Sequence, residues 1–291
     1  MMDALWILIT ACLVAVVCAL PGSLLMLKRQ SLMGDAIAHA ALPGVFLAFF
    51  FSGDRSPAYL IPGAALSGWG AAQLSSWLIR KQNLGSDAAL GLVFTFLFAV
   101  GVILISFFAR QIDLDLDCVL YGDIVWIPLE RFYVDTTDMG PLAVWILSGT
   151  LLLFCLMLWK GWKGWYLTTF DPLFAQAIGF NMGAWNSLLM GMVSLATVVC
   201  FRSVGSVLVI AFLSVPAATA ALYVRQLKTQ LIHACLWGVL SAFLGWVLAL
   251  PLNISVAGGM ACASAFCFIG VWFFTRKFLP SYNRSRSKSF A

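Results

Sequence analysis

Apolar stretches that match the thickness of a membrane recur along the whole chain, and they restrict its possible folds more than any other feature. Nine of them lie at residues 4–27, 36–52, 57–79, 87–109, 141–159, 183–202, 205–224, 229–250 and 254–275. A helix needs roughly 20 apolar residues to cross the hydrocarbon core of a bilayer. Because lipid offers no hydrogen-bond partners, a spanning backbone must be helical or belong to a closed barrel. Long unbroken runs favour helices, so we predict an all-α polytopic membrane bundle of about nine transmembrane helices.

The composition also indicates that lipid surrounds most of the chain. Hydrophobic residues make up 62% of the 291 residues and charged residues only 10%, whereas a soluble domain carries about 25% charged residues. The eight cysteines contain no CxxC pair and mostly lie in apolar stretches, so we interpret them as small buried hydrophobes. No G-x-x-x-x-G-K-[ST] phosphate loop and no HExxH pattern occurs. We therefore predict that the chain is not an enzyme and that any ATPase working with it is a separate chain.

Positive charges orient the bundle, because cytoplasmic loops of membrane proteins carry an excess of Lys and Arg. With nine spans, 13 of the 17 Lys and Arg fall on one side, which predicts an outside N-terminus and an inside C-terminus. Eight spans are an alternative, since only Ser203 and Val204 separate the sixth stretch from the seventh. Merging them would put Lys160 and Arg225 on opposite sides, so charge favours nine. The residues on the cytoplasmic side are Lys28, Arg29, Arg80, Lys81, Lys160, Lys163, Arg225, Lys228, Arg276, Lys277, Arg284, Arg286 and Lys288.

Three polar regions interrupt the single transmembrane domain that we predict for residues 1–291. They are an outer acidic loop at 110–140, a cytoplasmic segment at 160–182 and a basic cytoplasmic tail at 276–291. The serine-rich and basic tail cannot build a core, so we expect it to be disordered and weakly attracted to anionic headgroups.

The outer loop contains an Asp-x-Asp-x-Asp run, which is a feature of calcium-binding loops. An EF-hand loop starting at Asp113 would need Gly and Glu where this chain has Cys118 and Ile124, so that match fails. Two interpretations stay open: a solvated acidic loop, or a surface that gathers cations or docks a partner. The acidic residues are Asp113, Asp115, Asp117, Asp123, Glu130, Asp135 and Asp138.

Asp35 and His39 are ionisable residues near the hydrocarbon region, where such residues are costly and usually functional. Their i,i+4 spacing places both side chains on one helical face. A carboxylate oxygen with an imidazole nitrogen suits Zn²⁺, Mn²⁺ or Fe²⁺. Two ligands are too few for a tight site, but a dimer would supply four around a shared axis. The alternative is an acidic residue at a helix N-terminus beside an unrelated histidine. His233 lies near a cytoplasmic helix start and is interpreted as interfacial.

The cytoplasmic segment contains a short helix with clear boundaries. Asp171 can cap it, Pro172 suits its first turn, and Gly179 can end it. The resulting helix of about two turns is too short to span the bilayer. It is either a juxtamembrane helix resting among headgroups or a docking element for a cytoplasmic partner.

Taken together, these motifs resemble the permease subunits of bacterial ABC importers for manganese, zinc or iron. The resemblance covers about residues 10–275 and rests on four stretches in order and spacing. These stretches are Ser31–Gly44, Leu120–Ile124, Phe170–Gly179 and Val204–Ala220, the last with small residues around Pro216. The rest of the acidic outer loop and the basic tail after Arg276 are less similar to the family, and no role is assigned to them from the resemblance.

The resemblance carries specific expectations for residues and partners. Asp35 and His39 would line the metal pathway. The segment Asp171–Gly179, with Pro172, Phe174 and Ala175, would be the coupling helix that sits in a groove of the ATPase. The family works as two permeases, either identical or similar to each other, with two cytoplasmic ATPase subunits and an extracytoplasmic metal-binding protein. It uses alternating access in the bacterial cytoplasmic membrane, with a transported divalent metal ion, no permanently bound cofactor and no nucleic acid.

Two other classes stay open from the residues alone. An ATP-independent secondary metal transporter would often have two similar halves with interrupted spans. Pro43 and Pro216 do interrupt spans, but no convincing internal repeat is seen. A non-transporting membrane scaffold is the third class.

Overall fold

The computed structural model describes residues 2–54, 56–82, 85–108, 124–129, 131–134, 137–252 and 254–278. Twelve α-helices lie within these ranges, together with one 3-10 helix, Ile124–Leu129, and two short strands, β1 (Arg131–Val134) and β2 (Thr137–Pro141). The helices are α1 (Met2–Leu27), α2 (Met33–Ala40), α3 (Leu42–Ser52), α4 (Pro57–Gln82), α5 (Ser86–Phe108), α6 (Leu142–Lys160), α7 (Trp162–Phe170), α8 (Pro172–Ala177), α9 (Met182–Val204), α10 (Ser206–Ala221), α11 (Leu227–Leu252) and α12 (Val256–Phe278).

The prediction of an all-α polytopic membrane bundle is confirmed, and every predicted apolar stretch coincides with a helix or a helix pair. Within the described residues, seven segments are long and apolar enough to cross a membrane, one of them made of α2 and α3 together. Helix α10 has only 16 residues, about 24 Å of rise, and α4 is long but not among the seven. The number of nine spans and the orientation of the termini stay predictions.

Helix α1 is the centre of one part of the bundle and packs against α6, α9, α10 and α11. Its inner side is made of small and aliphatic residues such as Val14, Val17 and Leu24, each fully buried. A second group forms around α4, which packs against α2, α3, α5 and α9. Helix α9 contacts α1 as well as α2 and α4, so it joins the two groups.

The second predicted stretch is broken into α2 and α3 at Ala41. Pro43 lies in the first turn of α3 and has no N–H to continue the ladder of α2. Next to this break, Ser67 Oγ of α4 donates a 2.8 Å hydrogen bond to the Ala40 carbonyl. On the α5 side, a Cβ at Gly101 would lie only 3.0 Å from Pro43 Cδ, so only glycine allows this close approach. The break is therefore enclosed by α4 and α5.

A single residue separates α9 from α10. Gly205 has φ +81° and ψ +169°, a conformation that side-chain-bearing residues rarely adopt. The helices on either side are distinct, with α9 ending at Val204 and α10 starting at Ser206. The residues assigned to the sixth and seventh stretches therefore form two helices, as the nine-span arrangement requires.

The connection between α5 and α6 contains a small hairpin that the sequence analysis did not predict. Strands β1 and β2 pair antiparallel, with Tyr133 opposite Asp138 and Val134 opposite Thr137. Ile124 is fully buried at the start of the 3-10 helix, and Gly140 approaches the ring of Trp6. Asp113, Asp115, Asp117, Asp123, Glu130 and Asp135 lie outside the described residues, as do Leu120–Asp123 of the family-like stretch and the tail from 279.

Candidate functional site

Asp35 and His39 face each other on α2. His39 Nε2 lies 3.4 Å from Asp35 Oδ1, and the side chains are 32% exposed for His39 and 50% for Asp35. The opposite face of this eight-residue helix is buried, with Met33, Ile37 and Ala40 pointing into the bundle. The amphipathic pattern of α2 thus directs its two ionisable side chains away from the core of their own chain.

Two aromatic rings of α5 contact His39. The imidazole centroid lies 5.8 Å from that of Phe94 and 5.8 Å from that of Phe98, which meets it edge to face at 89°. These are ordinary geometries for attractive ring contacts. The histidine therefore has a polar neighbour on its own helix and an apolar wall on the next.

Glycines let α2 lie deep among its neighbours. A Cβ at Gly34 would collide with Leu213 of α10. A Cβ at Gly68 of α4 would lie 2.8 Å from Ile37 Cγ2. Small residues allow helices to approach closely in membranes, so these positions fix the depth and rotation of α2. They therefore also fix the direction in which Asp35 and His39 point.

Asp35 and His39 are two metal-capable groups and not a complete metal site. Among the described residues, no group of three or more His, Cys, Asp or Glu side chains could hold a metal ion. The seven described cysteines are free thiols; Cys18 and Cys200 are buried as interpreted, whereas Cys155 and Cys262 are exposed on the surface of this chain. One chain therefore offers one carboxylate and one imidazole at this position, with room for further ligands from elsewhere.

The segment that we predict to be cytoplasmic forms α8 with well-defined ends. Asp171 Oδ1 accepts a 3.0 Å hydrogen bond from the Phe174 N–H, and Pro172 occupies the first position of the helix. At the other end, the Phe180 N–H bonds to the Ala175 carbonyl at 2.9 Å and the Gly179 N–H to the Gln176 carbonyl at 3.0 Å. This is a Schellman motif with Gly179 at φ +92°. The helix has six residues and does not span the membrane.

Helix α8 presents an apolar surface to its surroundings. Leu173 is 79% exposed, Phe174 51% and Ile178 49%, whereas Ala175 is fully buried within the chain. The predicted coupling residues therefore have different positions. Phe174 points outward, and Ala175 seats the helix on the bundle.

An additional helix, α7, and a pair of tryptophans support α8, and sequence reasoning missed both. Trp165 is fully buried, donates from Nε1 to the Met157 carbonyl at 3.2 Å, and meets Trp185 of α9 edge to face at 4.9 Å. Gly164 leaves room for the Trp185 ring. The Gly-Trp-Lys-Gly-Trp run at 161–165 is the signal that could have indicated this packing, since each glycine lies against a ring.

The joint between α8 and α9 is also well ordered. Asn181 Oδ1 accepts a 3.2 Å hydrogen bond from the Ala184 N–H and caps α9. Phe180, before the cap, lies 6.0 Å from the Trp185 ring, which is the arrangement of a hydrophobic staple. The exit of α8 and the entry of α9 are therefore fixed by local contacts.

Other ionisable groups at this end of the bundle have structural surroundings. His233 Nδ1 lies 2.7 Å from the Tyr223 hydroxyl, which in turn accepts a 2.8 Å hydrogen bond from Trp237 Nε1. Just beyond α1, partial burial lowers the pKa of Lys28. Arg29 follows with φ +57° and ends α1 in the conformation usually taken by glycine.

The described part of the chain, with seven segments long and apolar enough to cross a membrane, defines a polytopic membrane protein of the all-helical class. The chain belongs to the ABC 3 transport family, which its residues 1–275 match. It is thus a permease subunit of a transporter in the bacterial cytoplasmic membrane and not an enzyme, and ATP hydrolysis belongs to a separate chain.

Individual relatives match over nearly the whole chain. It is 39% identical to the manganese transport system membrane protein MntD of Bacillus subtilis (strain 168), over 93% of this chain and 91% of that one. It is 37% identical to the zinc transport system membrane protein TroD of Treponema pallidum (strain Nichols), over 93% and 74% respectively. The solved structure of PsaBC from Streptococcus pneumoniae in complex with Fab superposes with a TM-score of 0.77 at 30% identity, covering 94% of this chain and 93% of that one.

Proposed function

We propose that the chain is the membrane-spanning subunit of an ATP-driven importer that moves a divalent transition metal ion by alternating access. The observation that supports this most is the pairing of Asp35 with His39, 3.4 Å apart on a helix of the bundle. The metal is substrate, and no resident cofactor is part of the proposal. Relatives named for manganese and for zinc transport support Mn²⁺ or Zn²⁺, and the same donor types also accept Fe²⁺.

A second permease subunit is part of the proposal. A carboxylate that is half exposed on its own chain is costly if lipid covers it, about 2.5–3.5 kcal/mol for Asp at a helix centre. An identical or similar chain that encloses the pair in a shared aqueous path removes this cost. Two chains then provide two carboxylates and two imidazoles around one axis. Such a set binds a metal well enough to select it and loosely enough to release it.

Coupling to ATP hydrolysis is assigned to α8. Asp171, Pro172 and Gly179 set the bounds of this helix, and Ala175 holds it against the bundle. Phe174, with its neighbour Leu173, is free to enter a groove of a cytoplasmic ATPase subunit. On the other side, an extracytoplasmic metal-binding protein would deliver the ion to the outer end of the path.

The test is metal uptake into liposomes that contain the complete complex, with Asp35→Ala and His39→Ala variants of this chain. We expect both variants to insert and to assemble with the ATPase but to lose uptake, because each removes half of the donor set. Asp54→Ala and His233→Ala are matched controls, since they remove the same side-chain types outside the pathway. Competition among Mn²⁺, Zn²⁺ and Fe²⁺ in the same vesicles identifies the metal.

Three results would contradict the proposal. Full uptake by the Asp35→Ala, His39→Ala double variant would remove the pair from the pathway. Uptake that persists with a hydrolysis-deficient ATPase would favour an ATP-independent transporter. Absence of any metal uptake by the intact complex would leave the scaffold interpretation.

A further inference from the structure

A groove of about 360 Å³ opens on the outside of the bundle between α4, α6 and α9. Its α9 wall contains Ala184, Leu188, Gly191 and Leu195, whose spacing of four, three and four residues is that of one helical face. From Ala184 to Leu195 the helix rises about 16 Å. One leaflet is about 15 Å deep, half of the hydrocarbon core. The groove therefore matches a single leaflet in length.

The polar groups in the floor of the groove bond to one another. Trp69 Nε1 donates to the carbonyl and the hydroxyl oxygens of Ser187, both at 3.1 Å. Gln73 Nε2 donates to the same hydroxyl oxygen at 2.7 Å. The rest of the lining is hydrocarbon, with Leu153 and Met157 on the α6 side. Such a groove suits an alkyl chain rather than a hydrated ion.

The end of the groove next to Met157 and Ala184 lies where α6 meets α7. Lys160 follows Met157 by one turn and is exposed, as is Lys163. A Cβ at Gly161 would lie 3.0 Å from both Trp165 Nε1 and Trp185 Cη2, so the tryptophan pair packs against the turn between α6 and α7 at this end. Tryptophans typically mark the headgroup level of a membrane. A positive charge therefore lies at the level where a phosphate would be.

We propose that this groove binds one acyl chain of an anionic phospholipid from the cytoplasmic leaflet, with its phosphate beside Lys160. The choice of leaflet rests on the proposed function, which puts α8 on the cytoplasmic side. Lipid tails are equally apolar everywhere in the bilayer, so burial of an acyl chain does not by itself favour one lipid over another. Selection comes from the shape of the groove and from the lysine charge. Because Trp185 directly follows the groove-lining Ala184 and contacts Trp165 and Phe180 beside α8, a bound lipid stiffens the coupling segment.

The experiment measures lipid retention directly. The complex of permease and ATPase is placed in nanodiscs of phosphatidylcholine with or without phosphatidylglycerol, and native mass spectrometry counts the lipids that stay bound. Gly191→Leu fills the groove, and the nearest side-chain atom to its Cβ, in Trp69, is 3.5 Å away, so the backbone tolerates the change. Gly270→Leu on α12 is the matched control, because its Cβ would meet nothing within 4 Å. Lys160→Gln removes the charge alone.

We expect the native chain and Gly270→Leu to retain phosphatidylglycerol and Gly191→Leu to lose it. Lys160→Gln should weaken the preference for phosphatidylglycerol about fivefold, as for one lysine near an anionic surface. Equal retention by Gly191→Leu and Gly270→Leu would overturn the proposal, as would equal retention of both lipids by the native chain. Loss of subunit association in Gly191→Leu alone would overturn it in favour of a second protein chain in the groove. These readouts need no transport, so a failure of the proposed function is detected separately.

Discussion

Replacing Gly179 tests whether the end of α8 is set by backbone conformation. Gly179 has φ +92°, and a Cβ at this position would meet nothing within 4 Å. A larger side chain at this position would therefore not collide with a neighbouring atom. The whole penalty of Gly179→Ala comes from holding a side-chain-bearing residue in a left-handed conformation, about 1–2 kcal/mol. A penalty of this size lowers the population of the native helix end about 5–30-fold relative to alternatives.

Comparing three substitutions at Gly179 separates the effect of backbone strain from that of side-chain size. Asn is larger than Ala but adopts left-handed conformations more readily, so we expect Gly179→Asn to retain more function than Gly179→Ala. Gly179→Val should be the worst, because β-branched residues are the least tolerant of positive φ. The measurements are recovery of the ATPase by pull-down and metal-stimulated ATP hydrolysis in liposomes, with metal binding at the pore unchanged. If activity falls with side-chain volume, so that Asn is worse than Ala, the strain argument is wrong.

Two further predictions concern orientation and the α2–α3 break. Single cysteines replacing Thr137 and Lys163, in a background without native cysteines, should react with impermeant thiol reagents from opposite sides of the membrane; reaction from the same side would refute the orientation. Ser67→Ala should destabilise the permease by about 0.6–1.7 kcal/mol, as for other hydrogen bonds between membrane helices, and should lower uptake because the Ala40 carbonyl loses its partner. Ser75→Ala is its control, since the Ser75 hydroxyl bonds to the Ala71 carbonyl within α4. Equal decreases in the thermal unfolding temperature of both variants would contradict this role for Ser67.

The long apolar helices could be located from the sequence because length and hydropathy alone define a membrane segment. The ends of α8 could also be read, since Asp171, Pro172 and Gly179 act through local backbone geometry. Which helices pack against one another could not be predicted from the sequence. In lipid, residues that face the core and residues that face the bilayer are both apolar, so spans carry no amphipathic pattern to indicate which face is buried. Among the described membrane helices, α2 alone has such a pattern, with Asp35 and His39 on one side.

Contacts between distant segments account for what sequence reasoning missed. The Phe94 and Phe98 rings beside His39 belong to α5, more than 50 residues away, and nothing in their own surroundings distinguishes them from other phenylalanines. The burial of Ala175 likewise depends on where α8 lies against its neighbours. The hairpin of β1 and β2 was missed because its strands have only four and five residues, too few for a clear alternation.

The packing of α9 connects α8 to α2, the helix that contains Asp35. Phe180 and the Asn181 cap join α9 to α8 without a loose linker, and α9 packs against α2 and α4 further along. Ser194 Oγ donates to the Ala65 carbonyl of α4 at 2.7 Å, about 14 Å along α9 from Trp185. We infer that α2, α4 and the first half of α9 move as one body. Cysteines at Ala65 and Ser194 joined by a short thiol cross-linker should therefore leave uptake at the rate of the reduced variant, whereas a cross-link that stops uptake would show that α9 slides past α4 during transport.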